Sequence, residues 1–318
     1  MPRGFTVGAY AAAGELPPAD EPRWYELLGR LEGVGGIEAP YRRGEHPDRL
    51  AGLLPSGWHV VVTLLPLTFT IGKTDSRYGL ASADAAAREA ALEDARRARE
   101  SILRLHDALG RSAVCAVQLH SAPSRREPGA SDAASLASSL SSLAALDWDG
   151  AALVVEHCDA AVPGGTWQKG YLSLADEIVA VRAAGGRDAR LGLSVNWGRS
   201  AIEGRSARTP VEHVREIQDV GLLRGMMLSG AAATDGPFGD AWRDVHNPVA
   251  AVDGHSLLDD DAIARSLDAI DGLESLDFVG AKVKAAPGAV ALEERLAGVE
   301  ATVAALAGAA DRRVQPIA

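Results

Sequence analysis

Eight short β-rich runs alternate with eight helical patterns along this chain, and few architectures accept that order. The runs are Phe5–Tyr10, Gly36–Tyr41, His59–Leu65, Ala113–His120, Ala151–His157, Leu191–Trp197, Leu222–Ser229 and Phe278–Lys284. The helical stretches between and after them are Glu21–Leu31, Pro47–Leu54, Ser82–Leu109, Ser131–Leu146, Leu172–Ala184, Pro210–Val220, Asp259–Leu273 and Val290–Ala309. Strands joined through helices pair in parallel, and eight such units close into a TIM barrel. The expectation is therefore an α/β fold, one (β/α)8 barrel domain over residues 1–318. An open doubly wound sheet would want a glycine-rich phosphate turn after the first strand, and Val7-Gly8-Ala9-Tyr10 does not supply one.

Local signals agree with this division. Thr209-Pro210-Val211-Glu212 reads as a capping box with proline at the first helical position. Gly110, Gly185-Gly186 and Gly221 fall where helices should stop. The long connections, 66–81, 121–130, 158–171, 198–209 and 230–258, all follow strands. In such barrels the strand-to-helix loops build the active site, at the C-terminal ends of the strands.

Strand parity then selects the side chains that face the lumen. One set comprises His59, Val61 and Thr63; Ala116, Gln118 and His120; Ala152, Val154 and Glu156. It continues with Gly192, Ser194 and Asn196; Gly225, Met227 and Ser229; Phe278, Gly280, Lys282 and Lys284. Small residues ahead of the polar ends suggest a lumen kept open toward one end. His120, Glu156, Asn196, Ser229 and Lys282 should then ring its floor. A buried carboxylate and a buried cation are costly unless paired, so Glu156 and Lys282 are the expected pair.

Charge narrows the partners. Asp and Glu number 43 against 32 Lys and Arg, for a net charge of -11. That is a poor surface for nucleic acid or for anionic membranes. No signal-peptide pattern and no apolar run of membrane-span length is evident, and Cys115 and Cys158 read as reduced thiols, so a cytoplasmic enzyme is expected. Only four of the basic residues are lysines, Lys73, Lys169, Lys282 and Lys284, and all fall on the expected catalytic face.

Gly36-Ile37-Glu38, Val154-Val155-Glu156 and Asp244-Val245-His246 give the chain a resemblance to the xylose-isomerase-like barrels, and within them to an uncharacterised bacterial family. The resemblance covers roughly residues 5–308 and implies a sugar isomerase or epimerase of carbohydrate metabolism. Relatives are often dimers or tetramers, so a homo-oligomer is implied too. Metal-dependent members hold a divalent ion through Glu, Asp, His and Glu at the ends of strands five to eight. Here the matching positions are Glu156, Asn196, Ser229 and Lys282. An ammonium in that place argues against the usual metal. A displaced site for Mn, Mg or Zn remains open through Glu156, Asp244 and His246, the last two resembling an Asp-x-His metal motif.

The expected chemistry is proton transfer next to a carbonyl, with Glu156 as acid or base, Lys282 stabilising the oxyanion, and His120 or His246 moving protons. Lys282 could alternatively form a Schiff base, its pKa lowered by Lys284. Substrate contacts are expected from Asn196, Trp197, Arg199, Lys169, Lys284, His157 and Trp242. Aromatic faces and arginine forks of this kind suit a small sugar, anionic or hydroxyl-rich. Two other readings stay open. One is a glycoside hydrolase or lyase pairing Glu156 with Asp159, Glu203, Asp240 or Asp244. The other is a non-catalytic sugar-binding barrel.

Overall fold

A computed structural model describes residues 4–45, 47–162 and 166–314. Eight parallel strands close in sequence order, the eighth against the first. They are β1 (Phe5–Val7), β2 (Val34–Pro40), β3 (His59–Thr63), β4 (Val114–Leu119), β5 (Ala152–His157), β6 (Leu191–Asn196), β7 (Leu223–Leu228) and β8 (Phe278–Ala281). The helices are α1 (Tyr10–Ala13), α2 (Glu21–Leu28), α3 (Pro47–Leu53), α4 (Leu65–Gly72), α5 (Ala85–Leu109) and α6 (Ala133–Ala144). They continue with α7 (Leu174–Ala183), α8 (Trp197–Gly204), α9 (Thr209–Asp219), α10 (Asp260–Asp268) and α11 (Leu292–Val314). The chain is a single (β/α)8 barrel with short helices, α1, α4 and α8, added after β1, β3 and β6.

The two strand faces separate cleanly. Val61, Ala116, Ala152, Val154, Met227 and Phe278 form a small buried cluster inside the barrel. Val117, Leu119, Leu153, Val155, Leu193, Val195, Met226 and Leu228 join the large outer core under the helices. The small residues do not leave the lower lumen open. The Phe278 ring lies against Gly225 and the His59 ring against Gly36, filling the space that side chains there would take. The polar upper lumen therefore stands on a packed plug.

Several helix ends follow ordinary capping chemistry, while α1, α2, α4 and α9 start without a side-chain cap. Asp84 caps α5, accepting from the backbone N–H of Ala86 and Ala87, and Gly110 ends it in the left-handed region at φ 63°. Along α5, Ala87, Ala91, Ala95 and Ala98 form a narrow buried stripe. The capping box expected at Thr209 is absent. Thr209 is already the first helical residue, Arg208 stands at the cap without a side-chain bond, and the Thr209 side chain packs on Gly204 at the end of α8.

Candidate active site at the C-terminal end of the barrel

Glu156, next to last in β5, is buried at 1% exposure. Its Oε2 accepts from His120 Nε2 at 2.8 Å and lies 2.7 Å from Arg199 Nη1. Its Oε1 accepts from Asn196 Nδ2 at 3.1 Å. Burial pushes this carboxyl up, yet Arg199, Lys282 and His120 together hold it well below the usual carboxylate range. Glu156 is thus an ionised acceptor with both oxygens engaged.

Arg199 reaches it because β6 runs straight into α8. Asn196 caps that helix, its Oδ1 accepting from Arg199 N at 3.4 Å. Arg199, 1% exposed, also sets Nε 3.1 Å from Asp244 Oδ2. Lys169 Nζ donates to the same oxygen at 2.7 Å. Burial raises Asp244, but Lys169 and Arg199 outweigh it and hold it well below its ordinary value. His246 Nδ1 lies 2.7 Å from Ser229 Oγ and 3.4 Å from Asp244 Oδ1. Burial lowers His246 to about 3 despite Asp244, so its ring is neutral.

Lys282 does not pair with Glu156. Its Nζ donates to Glu38 Oε1 at 3.2 Å and lies 5.0 Å from the centre of the Tyr10 ring. Barrel closure explains the difference. Lys282 follows β8 and Glu38 lies in β2, and both strands flank β1. Gly8, directly after β1, lies between them with no side chain to keep them apart: a Cβ there would lie 2.7 Å from Glu38 Oε2 and 2.8 Å from Lys282 Cβ. Glu156, three strands away in β5, acts on Lys282 only through longer-range attraction. Burial opposes the Lys282 charge, but Glu38 and Tyr10 raise its pKa, so the amine stays protonated. That disfavours a Schiff base, which needs a free amine.

Two polar atoms stand out. Glu38 Oε2 and His120 Nδ1 are buried without a hydrogen-bond partner. Burial raises the Glu38 pKa against the pull of Lys282 and lowers that of His120. With Nε2–H committed to Glu156, the neutral His120 ring presents Nδ1 as a lone-pair acceptor. A cavity of about 560 Å³ beside β1 and β2 is lined in part by Tyr10, Glu38, Trp24, Tyr41, Arg42 and Arg49.

Other expected contacts fall elsewhere. Trp197 is fully buried under α10, its Nε1 donating to Ser266 Oγ at 3.0 Å, so it is core rather than a sugar platform. His157 has the opposite parity from Glu156 and lies outside the lumen, donating to Glu177 Oε2 at 2.7 Å and Glu203 Oε2 at 3.1 Å. Glu203 is accordingly committed outside the barrel and is no partner for Glu156. Lys284 is exposed, with its backbone N–H donating to His246 O at 2.8 Å. Trp242 is half-buried and stacks on the Arg205 guanidinium at 5.2 Å.

The metal trio Glu156, Asp244 and His246 is also corrected. The Arg199 guanidinium lies between Glu156 and Asp244 and takes the space and the charge an ion would need. His120, Glu156 and Cys158 do bring ligand atoms within 4.8 Å of one another. The same guanidinium again intervenes, Nη1 lying 3.5 Å from Cys158 Sγ, and burial raises that thiol far from thiolate formation. The residues at the strand ends therefore do not fit the usual divalent ion of such barrels. Glu38 and Tyr10 were missed as members of the site. Glu38 shares its face with Gly36, so the parity argument extended to β2 would have found it.

A family model described as a domain of unknown function, DUF4862, matches residues 6–298. An uncharacterized protein of Salmonella typhimurium, STM3670, is 31% identical over 287 residues, covering 88% of this chain and 89% of its own. The solved structure of IOLI protein with a binding zinc atom aligns over 98% of both chains, with a TM-score of 0.59 and 13% identity. That of a D-psicose 3-epimerase in the presence of D-fructose covers 96% of this chain and 97% of its own, with a TM-score of 0.57 and 13% identity. The fold is thus that of the xylose-isomerase-like barrels. Among the described residues no helix is long and apolar enough to cross a membrane.

Proposed function

The chain belongs to the DUF4862 family, and from that footing we propose that it is a sugar-modifying enzyme: an isomerase or epimerase that moves a proton at the carbon next to a carbonyl. The structural neighbours include a D-psicose 3-epimerase and a sugar phosphate isomerase/epimerase, which supports sugar chemistry in general. The observation that carries the finer reading is the pair of unpartnered buried atoms, His120 Nδ1 beside Glu156 and Glu38 Oε2 beside the Lys282 ammonium, with Lys282 acting on His120 and Glu156 through longer-range electrostatics.

Proton abstraction beside a carbonyl needs a base, a second proton carrier and a positive group for the enolate oxygen. Neutral His120, oriented through Nε2 by ionised Glu156, is one proton carrier. Glu38, with its raised pKa, is the other. Lys282 stays protonated and supplies the charge for the developing oxyanion. Glu156 acts as an orienting anion, because Arg199, His120 and Asn196 already engage it. The cavity beside β1 and β2 reaches Tyr10 and Glu38, but its Arg42 and Arg49 are already paired with Glu45 and Glu21, so it does not by itself select an anionic sugar. No step requires a divalent ion.

The test is deuterium uptake in D2O at the carbon next to the carbonyl, followed by NMR over a panel of ketoses, aldoses, sugar acids and sugar phosphates. One substrate should exchange, and Glu38→Gln and His120→Gln should each slow it by about 10²–10⁴-fold. Release of an aglycone without exchange would establish a hydrolase instead. Binding without either reaction would make the barrel a sensor.

A further inference from the structure

Behind the Glu156–Arg199 pair, on the outer face of β5, lies a second cluster that the proposed chemistry does not use. We propose that His157, Glu203 and His213 form a binding site for one transition-metal dication of the zinc class. The residues come from three elements: the last position of β5, the end of α8 and the first turns of α9. His157 Nε2 is 3.1 Å from Glu203 Oε2, and His213 Nε2 is 3.7 Å from Glu203 Oε1. All three ligand atoms lie within 4.8 Å of one another. Tetrahedral ligands about 2.0–2.1 Å from zinc stand about 3.3 Å apart; the His157 separation is near that, and His213, which faces the other Glu203 oxygen, has only to close in slightly to share the ion.

The far sides of both rings are arranged for the same task. His157 Nδ1 donates to Glu177 Oε2 at 2.7 Å, and His213 Nδ1 lies 3.0 Å from Ser200 Oγ. Such partners fix the ring and direct the Nε2 lone pair at the ion, as the outer shell of a metal site does. The side chains of the cluster, Glu177 included, are at most 14% exposed, so its two carboxylates need positive charge close by. A dication with two neutral imidazoles and two carboxylates would be charge-balanced. On binding it takes the place of the proton that His157 Nε2 shares with Glu203, and that proton goes to solvent.

This site is distinct from the lumen, since His157 and Glu156 point to opposite faces of β5. It is also linked to the lumen covalently. His157 follows Glu156, and Ser200 follows Arg199, so an ion here would brace the inner ion pair from behind.

The experiment uses the full chain stripped with a chelator and then titrated with Zn²⁺ against a chromophoric competitor, with Co²⁺ absorption reporting geometry. One equivalent should bind, with the visible bands of tetrahedral Co²⁺. His213→Ala and Glu203→Gln should each weaken binding by at least about tenfold, whereas His120→Ala should leave it unchanged. Zn²⁺ should raise the Tm of the natural chain but not that of Glu203→Gln, which keeps the side-chain shape if His213→Ala fails to fold. Absence of binding overturns the proposal. So does undiminished binding in Glu203→Gln, or binding lost only in His120→Ala, which would put the ion in the lumen.

Discussion

Arg199 Nη1 lies 2.7 Å from Glu156 Oε2, while Arg199 Nε lies 3.1 Å from Asp244 Oδ2, so one guanidinium joins β5 to the long loop after β7. Both carboxylates are buried, and each is held ionised in part by this residue. Removing one partner of such a group leaves charge buried without compensation. Arg199→Met should cost about 3–5 kcal/mol, read as a lower urea midpoint at unchanged slope. Arg199→Lys should recover only part, because a single ammonium lacks the two-sided fork. A loss below about 1 kcal/mol for Arg199→Met would mean the bridge is worth no more than a surface pair.

Acid should weaken the fold in two stages. His246 is lowered from 6.5 to about 3, chiefly by burial. The unfolded chain therefore takes up a proton below pH 6.5 that the folded chain refuses until about pH 3. Stability falls as pH drops through that window, by up to about 1.4 kcal/mol per pH unit for one group. Glu156 and Asp244 have depressed values, so their contribution is complete above the ordinary carboxylate range and is lost below it, which steepens the fall. His246→Gln should make the first stage shallower without abolishing it, because His213 and His120 are lowered by burial too, and should leave the second. Urea midpoints measured from pH 7 to pH 3 decide it, and coincident slopes for the two proteins would refute the assignment.

Much of this arrangement was legible in the residue pattern, for a definite reason. Period-two alternation makes a strand's faces a matter of parity, which is why His120, Glu156, Asn196 and Lys282 could be assigned inward before any coordinates. Partners are harder, because they depend on how elements are placed around the barrel. Lys282 meets Glu38 across Gly8 only because β8 closes on β1. Arg199 enters the lumen only because α8 starts at Trp197 without a loop, and Gly198 beside an arginine reads locally as a turn. Trp197 misled for the same reason: one helical step decides whether an aromatic at a strand end faces the lumen or α10.

The Glu38–Lys282 pair can be isolated by a double-mutant cycle. Glu38→Gln leaves a buried ammonium with a weaker partner, and Lys282→Met leaves a buried carboxylate with none. Each single change should destabilise strongly, about 3–5 kcal/mol for Lys282→Met. The double variant should lose less than the sum, by a coupling of about 0.5–3 kcal/mol. Additive losses in denaturant unfolding would show that the two charges are stabilised separately, by Tyr10 and Glu156 for instance, and not by each other.

Gly8 gives the most local test of how this pair is assembled. Its backbone needs no left-handed conformation, so space alone makes glycine necessary. An added methyl carbon would lie 2.7 Å from Glu38 Oε2 and 2.8 Å from both Cβ and Cγ of Lys282. The glutamate oxygen can swing aside, but Lys282 Cβ is fixed to the backbone next to β8 and cannot. Gly8→Ala should therefore cost about 1–3 kcal/mol of overpacking strain and spread the pair. Gly52, inside α3 with nothing within 4 Å of its added Cβ, is the matched control. Gly52→Ala should be neutral or stabilise by about 0.5–1 kcal/mol, as alanine does in a helix. Equal stability of the Gly8→Ala and Gly52→Ala proteins would mean that the junction of β8, β1 and β2 has room to spare, and that the Glu38–Lys282 contact does not depend on the missing side chain.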